Sequence, residues 1–185
     1  MMQGVLCSEC IADTPEFDKA RFVFKYNDVS GKMITGLKYT DKTPYAKTLA
    51  KFMSNKIKEL SDDLDIIVSV PLHPKKLIAR KYNQSALLAN KLGQLTGRKV
   101  NNLILQKVKN IQPQASLTRK ERLANAKGAY AAHPKYKDII AGKNILLVDD
   151  VITTGATANE CAKILKRNGA AKVYLLTAAK TIMES

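Results

Sequence analysis

Two hydrophobic periods run along the chain, and the places where one gives way to the other mark out its elements. Arg21 to Tyr26 (RFVFKY) alternates polar and apolar residues, the pattern of a strand. Asp28-Val-Ser-Gly31 is turn chemistry, and Met33, Ile34 and Leu37 behind it lie at helical spacing. Pro44 suits the first turn of a longer helix to about Leu60, in which Leu49, Ala50, Met53 and Ile57 keep the 3.6-residue period. Asp65 to Val70 is a short, β-branched, buried strand ended by Pro71 and Pro74. Ser85 to Leu95 is helical, with Gly97 as its stop. Leu103 to Val108 reads as another strand. Residues 109–127 carry Pro113, many bases and little apolar pattern, so a long loop is expected, running into a polar helix around Arg119 to Ala126. Loops this long inside a compact domain are usually functional. Asn144 to Val148 is a strongly apolar strand, Thr157 to Asn168 an amphipathic helix closed by Gly169, and Val173 to Thr177 the last strand.

Strands alternating with helices predict an α/β fold: a mostly parallel five-stranded sheet flanked by helices. An N-terminal strand and helices are expected to pack onto it. A chain of 185 residues suits one domain with a real core. The division expected is a Cys-containing segment over 1–20 and the domain over 21–185. No stretch approaches the ~18 consecutive apolar residues of a membrane span. The opening MMQGVLCSEC lacks the charged and apolar regions of a secretory leader, and three cysteines make no disulfide framework, so a cytoplasmic setting is expected.

Charge changes the picture more. Lys and Arg number 31 against 16 Asp and Glu, a formal net of +15. The excess is uneven. From Ile66 to Lys120 there is no acid, while Lys75, Lys76, Arg80, Lys81, Lys91, Arg98, Lys99, Lys107, Lys109, Arg119 and Lys120 all fall there. A field of one sign attracts polyanions, either a nucleic acid or a phosphate-rich small molecule. Tyr82, beside Arg80 and Lys81, is placed to stack a base or to fill the core.

Residues 145–157, ILLVDDVITTGAT, carry the most specific chemistry. An apolar strand ends in two adjacent acids, and a Thr-Thr-Gly loop leads into a helix. In such sheets ligands sit beyond the carboxyl ends of the strands. A helix N-terminus offers free N–H groups and a positive dipole end to phosphate. Gly155 lets the backbone wrap closely, and Thr153, Thr154 and Thr157 add hydroxyl donors. Asp149 and Asp150 are suited to accept hydrogen bonds from vicinal hydroxyls, with Mg²⁺ as counter-charge. A sugar 5′-phosphate carrying a diol offers both features. A Thr-rich helix cap with a surface acid pair accounts for the pair alone, not for the whole string.

This string resembles the phosphoribosyl-pyrophosphate motif of type I phosphoribosyltransferases. The resemblance implies Asp149 and Asp150 on the ribose hydroxyls, and the amides of Thr153, Thr154, Gly155, Ala156 and Thr157 on the 5′-phosphate. Some members place a third acid before the Thr-Gly, where it helps to deprotonate a purine; here that position is Thr153, which speaks against such chemistry. VPLHPKKLIARKYNQS (70–85), NIQPQASLTRKERLANAKGAY (110–130), LKYTDK (37–42) and NECAKIL after the loop resemble the ComF family of competence proteins. That likeness covers nearly all of the chain from about residue 20. It implies a pyrophosphate-facing loop at Pro71, Leu72, His73 and Lys75, with Arg80, Asn83 and Gln84 lining the same cleft. It also implies a mobile loop carrying Gln114, Ser116, Arg119 and Arg122. Lys and Arg converging on a diphosphate make physical sense. The function implied is handling of single-stranded DNA in natural transformation, with Lys75, Lys76, Arg80 and Lys81 on the nucleic acid and a DNA-uptake helicase as partner. A working phosphoribosyltransferase with an unknown acceptor, or a non-catalytic sensor of phosphoribosyl pyrophosphate, remains open beside it.

The family usually opens with two Cys-x-x-Cys pairs holding one zinc. This chain shows one, Cys7-Ser-Glu-Cys10, half of such a site. Structural zinc takes four ligands, and Cys161, on a helix face, reads as core, so folding without zinc is expected. His73 falls inside the cleft loop, where it would meet phosphate; His133 reads as surface.

Overall fold

The computed structural model describes residues 14–39, 43–110 and 119–181. Five strands form one parallel sheet: β1 (Lys19–Lys25), β2 (Ile66–Ser69), β3 (Lys99–Val100), β6 (Asn144–Ile152) and β7 (Lys172–Lys180), in the order β1-β7-β6-β2-β3. Every pairing in it is parallel, with Lys19 beside Tyr174, Asn144 beside Lys172 and Ile66 beside Ile145. The connections are helical: α1 (Asp28–Tyr39), α2 (Thr43–Leu60), α3 (Pro74–Arg80), α4 (Gln84–Thr96), α5 (Arg119–Ala126), α6 (Lys137–Ile140) and α7 (Ala156–Arg167). A separate antiparallel pair, β4 (Leu105–Lys107) and β5 (Tyr130–Ala132), stands off the sheet.

The strands are apolar on both faces because both are covered. Ile67, Leu146, Val148, Tyr174 and Leu176 face one core with Leu37 of α1, Leu49 and Met53 of α2, and Leu88 and Leu92 of α4. Their alternates Ile66, Val68, Ile145, Leu147, Val173 and Leu175 face the other, against Cys161, Ala162 and Leu165 of α7, Ile140, and the β4–β5 pair. Each fully buried aliphatic side chain contributes ~1.5–3 kcal/mol. A one-residue slip of β6 would exchange the two sets, so this alternation fixes the register that delivers Asp149 to the strand's carboxyl end.

Three expectations need correction. The N-terminal strand does not pack onto the sheet but joins it, as its edge beside β7. The strand read at Leu103 to Val108 is not one of the five; its Leu105–Lys107 core pairs with Tyr130–Ala132 instead, and β3 takes the edge beside β2. Pro74 does not only end a strand. It opens α3, where its missing N–H costs nothing and His73 supplies the cap.

Candidate functional site

Strand β6 runs four residues past the expected end at Val148, so both acids lie within its last turn of pleat rather than after it. Ser85, at the start of α4 and buried, donates through Oγ to Asp149 Oδ1 (2.8 Å). The Asp150 amide donates to the same oxygen (2.9 Å), and Asp150 Oδ1 accepts from the Val151 amide (2.7 Å). Asn83 positions Ser85: its Nδ2 donates to the Val70 carbonyl (3.0 Å) while its Oδ1 caps α4 through the Ser85 amide (3.0 Å). One short chain of contacts therefore ties the end of β2, the start of α4 and the first acid together.

Beyond the acids the backbone turns through Gly155, whose φ of 76° lies in the left-handed region that disfavours a side chain. Gly155 itself brings no side chain to cap α7; the Ala156 amide donates to Thr154 Oγ1 at 3.5 Å, and the helix N-terminus faces the loop. Asp149, Val151, Ile152, Thr153 to Thr157 and Ala158 line a small concavity of ≈ 50 Å³ there. Asp150 does not line it. All five residues expected to hold a 5′-phosphate thus come together, with one of the two acids.

The pyrophosphate-facing residues are less uniform. Pro71 is buried and Leu72 half-buried; Lys75 is exposed and Arg80 half-buried on α3. His73 Nδ1 accepts from the Lys75 amide (3.3 Å) as the cap of α3, so that nitrogen is used structurally. Gln84 is 3% exposed, and its Nε2 has no hydrogen-bond partner among the described residues; the Ser69 hydroxyl is in the same condition. Of the mobile-loop residues, Gln114 and Ser116 lie outside the described residues. Arg119 begins α5, and Arg122 on the same helix keeps its Nε buried without a hydrogen-bond partner. Cys7 and Cys10 also lie outside the described residues. Cys161 is buried in α7, as expected of a core residue, and burial pushes its thiol well above its ordinary range, with Asp149 adding to the effect. Tyr82 donates to the Leu37 carbonyl (2.6 Å), which ties it to α1.

Sequence reasoning missed Ser85 and Tyr130, and it named Lys107 only as one base of the acid-free run. Lys107 and Tyr130 are directly paired across β4 and β5. Lys107 Nζ stands 5.1 Å from the centre of the Tyr130 ring, a cation–π distance. The Tyr130 hydroxyl reaches Thr157 Oγ1 at 3.5 Å. Burial holds the Lys107 ammonium below its ordinary pKa, Lys76 on α3 lowers it further, and Cys161 and Asp149 pull it back up. Burial also drives the Tyr130 hydroxyl well above its ordinary range. No local pattern announces this contact, which exists only once 105–107 has paired with 130–132. The acid-free run is not one surface. Lys75, Lys76, Arg80 and Lys81 cluster at the carboxyl end of β2, whereas Arg98 is at the opposite end, spent on the carbonyls of Leu64 and Asp62. Helix α3 buries no residue and leaves Leu77 and Ile78 exposed among its bases.

A family model described as the phosphoribosyl transferase domain matches residues 84–182, from α4 to the end of the sheet. The DNA utilization protein YhgH of Salmonella typhimurium is 30% identical over 181 residues, covering 95% of this chain and 78% of the relative. The chain belongs to the competence protein F and YhgH family, built on a phosphoribosyl transferase domain. Competence protein F of Haemophilus influenzae is 28% identical over 174 residues, with 91% of this chain and 76% of the relative covered. Among solved structures, the glutamine phosphoribosylpyrophosphate amidotransferase of B. subtilis, complexed with ADP and GMP, superimposes at a TM-score of 0.51 with 19% identity. The match covers 78% of this chain and 30% of that one, and it shows the shared fold. Among the described residues no helix is long and apolar enough to cross a membrane.

Proposed function

We propose that this family member handles single-stranded DNA in the cytoplasm during DNA uptake and binds phosphoribosyl pyrophosphate at the β6–α7 loop. The observation that carries the reading is the junction itself: Asp149 held by Ser85 near a strand end, followed by a glycine-turned threonine loop at a helix N-terminus. The residues fit the ligand. The loop concavity is sized for one phosphate group, and Gln84, next in sequence to Ser85, keeps an unpaired buried donor. Asp149 and Asp150 would hold the sugar hydroxyls, and the amides of Thr153 to Thr157 the 5′-phosphate. Among the described residues no cluster of three or more His, Cys, Asp or Glu assembles. Asp149 and Asp150 are the residues that would take Mg²⁺ as their counter-charge, a cation that keeps several waters. When bound, it would neutralise the diphosphate. The bases of α3 supply positive charge to the same end of the sheet.

The names of the relatives and the basic α3 support the DNA half of the reading. Phosphate contacts would provide most of that affinity, with a log–log salt slope of ~0.7 per phosphate on single strands. The domain model's description favours a second reading, transfer of phosphoribose to an acceptor with release of pyrophosphate. Isothermal calorimetry with phosphoribosyl pyrophosphate and Mg²⁺ tests the site common to both. Wild type is expected to bind, and Asp149→Asn with Asp150→Asn to lose ~1.5–3 kcal/mol per charged hydrogen bond removed. Equal affinities would reject the assignment. Anisotropy titrations of an oligonucleotide at several salt concentrations test the DNA half, with charge reversal at Lys75, Lys76, Arg80 and Lys81 expected to lower both affinity and slope.

A further inference from the structure

We infer that the β6–α7 loop is the seat of a strand end: it takes the 5′-terminal phosphate of single-stranded DNA, while the following phosphates run past Lys107 toward Lys76. This rests on the proposed function and joins its two ligands at one loop. The loop concavity measures ≈ 50 Å³, where about 10–15 Å³ holds one water, so it takes roughly the four oxygens of a single phosphate. The loop is closed behind by the buried Ala156 and Ala158. A terminal monoester presents three free oxygens to such a concavity where an internal phosphodiester presents two, and it brings about −1.5 to −2 charges near pH 7 where the diester brings one.

A path away from the pocket is visible in the side chains. Lys107 rests on Tyr130, and Tyr130 touches Thr157 of the loop. Lys107 also feels both Asp149 and Lys76, so the strand end, the β4–β5 pair and α3 converge. A strand leaving the loop by its 3′ oxygen would carry its next phosphate past Asp149. Lys107 is a cation within electrostatic reach of that carboxylate, and Lys76 and Arg80 lie on α3. The ammonium of Lys107 is half-buried and held below its ordinary pKa by burial first and Lys76 second, so an arriving anion stabilises it. Helix α3 buries no residue and carries four bases along its length and at its cap, a surface that suits successive phosphates of a strand as well as a diphosphate.

The test is an anisotropy titration of the full chain with three thymidine 12-mers of one sequence, carrying a 5′-phosphate, a 3′-phosphate or neither. Tenfold or tighter binding of the 5′-phosphorylated strand over the unphosphorylated one is expected, with ribose 5-phosphate competing away that increment. Lys107→Met and Thr153→Val should each reduce the ratio of the two affinities, a quantity that does not depend on how much of the variant is folded. Equal binding of 5′-phosphate and 5′-hydroxyl strands overturns the inference while leaving DNA binding in place. An equal gain from a 3′-phosphate also overturns it, since charge alone would then explain the effect. Absence of binding by any strand at low salt rejects the DNA reading together with the inference. Calorimetry with ribose 5-phosphate, run separately, reports on the loop's sugar-phosphate site.

Discussion

Replacing Ser85 by alanine removes the contact that aims Asp149. The hydroxyl is 2.8 Å from Oδ1, and Ser85 is 5% exposed, so water does not take its place. A hydrogen bond to a charged group contributes ~1.5–3 kcal/mol. Alanine in a helix returns up to about 0.5 kcal/mol over serine. The net expected loss is therefore about 1–2.5 kcal/mol of folding stability. The Asp150 amide remains on the same oxygen, so the carboxylate keeps that contact and loses the one from α4. For a domain of this size ~1 kcal/mol lowers Tm by about 2–4 °C. Urea unfolding of wild type, Ser85→Ala, Asp149→Ala and the double variant forms a closed cycle. Coupling of about 1 kcal/mol or more between the two positions is expected. Additivity within about 0.3–0.5 kcal/mol would mean that Ser85 does not hold Asp149, and the construction of the site given above would fail.

Two other changes probe the surrounding frame. Gly155→Ala places a Cβ 3.6 Å from Ile152 Cδ1, ordinary contact, so its cost is that of holding φ near 76°: ~1–2 kcal/mol in thermal or urea melts, with no loss of packing. Asp65 accepts the Asn144 amide (2.8 Å) and the Lys143 ammonium (3.2 Å), and these hold its carboxyl below the ordinary 3.8. A carboxyl depressed on folding stabilises above its unfolded value and loses that contribution as pH falls through the folded one. Asp65→Asn is therefore expected to melt below wild type at neutral pH and to converge with it in acid below about 3.8; a constant difference across that range would contradict the assignment.

How much of this was legible depends on whether the signal was local. Gly97 stops α4 in the left-handed conformation, and Pro44 lies in the first turn of α2, because such residues act on their own backbone. The loop from Asp149 to Thr157 was readable for the same reason: its chemistry is contiguous. Helix α3 was missed because it buries no residue and so shows no apolar period, and because Pro74 serves a helix start as well as a strand end. Strand β7 runs to Lys180 through Ala178 and Ala179, which carry no β-branched signal but lie fully buried. Ser85 meets Asp149 from 64 residues away, and Tyr130 meets Thr157 from 27. Such partners follow from the order of strands in the sheet, which a pattern along the chain does not state.

That strand order also sets a timetable. Among the described residues β1 precedes every other strand and pairs only with β7, which follows them all; Asp18 and Val173, which anchor that pairing, are 155 residues apart. At about 5–20 residues per second of synthesis, the N-terminal strand waits roughly 8–30 s for its neighbour. During that interval Phe22, Val23 and Phe24 have no sheet to join. Lys19, Arg21 and Lys25 alternate with or flank them along the waiting strand, and positive charge on an unpaired edge discourages wrong pairing. Closure of the sheet therefore waits on β7: until Lys172 and the residues after it are made, β1 stays unpaired, exposed to proteases and chaperones.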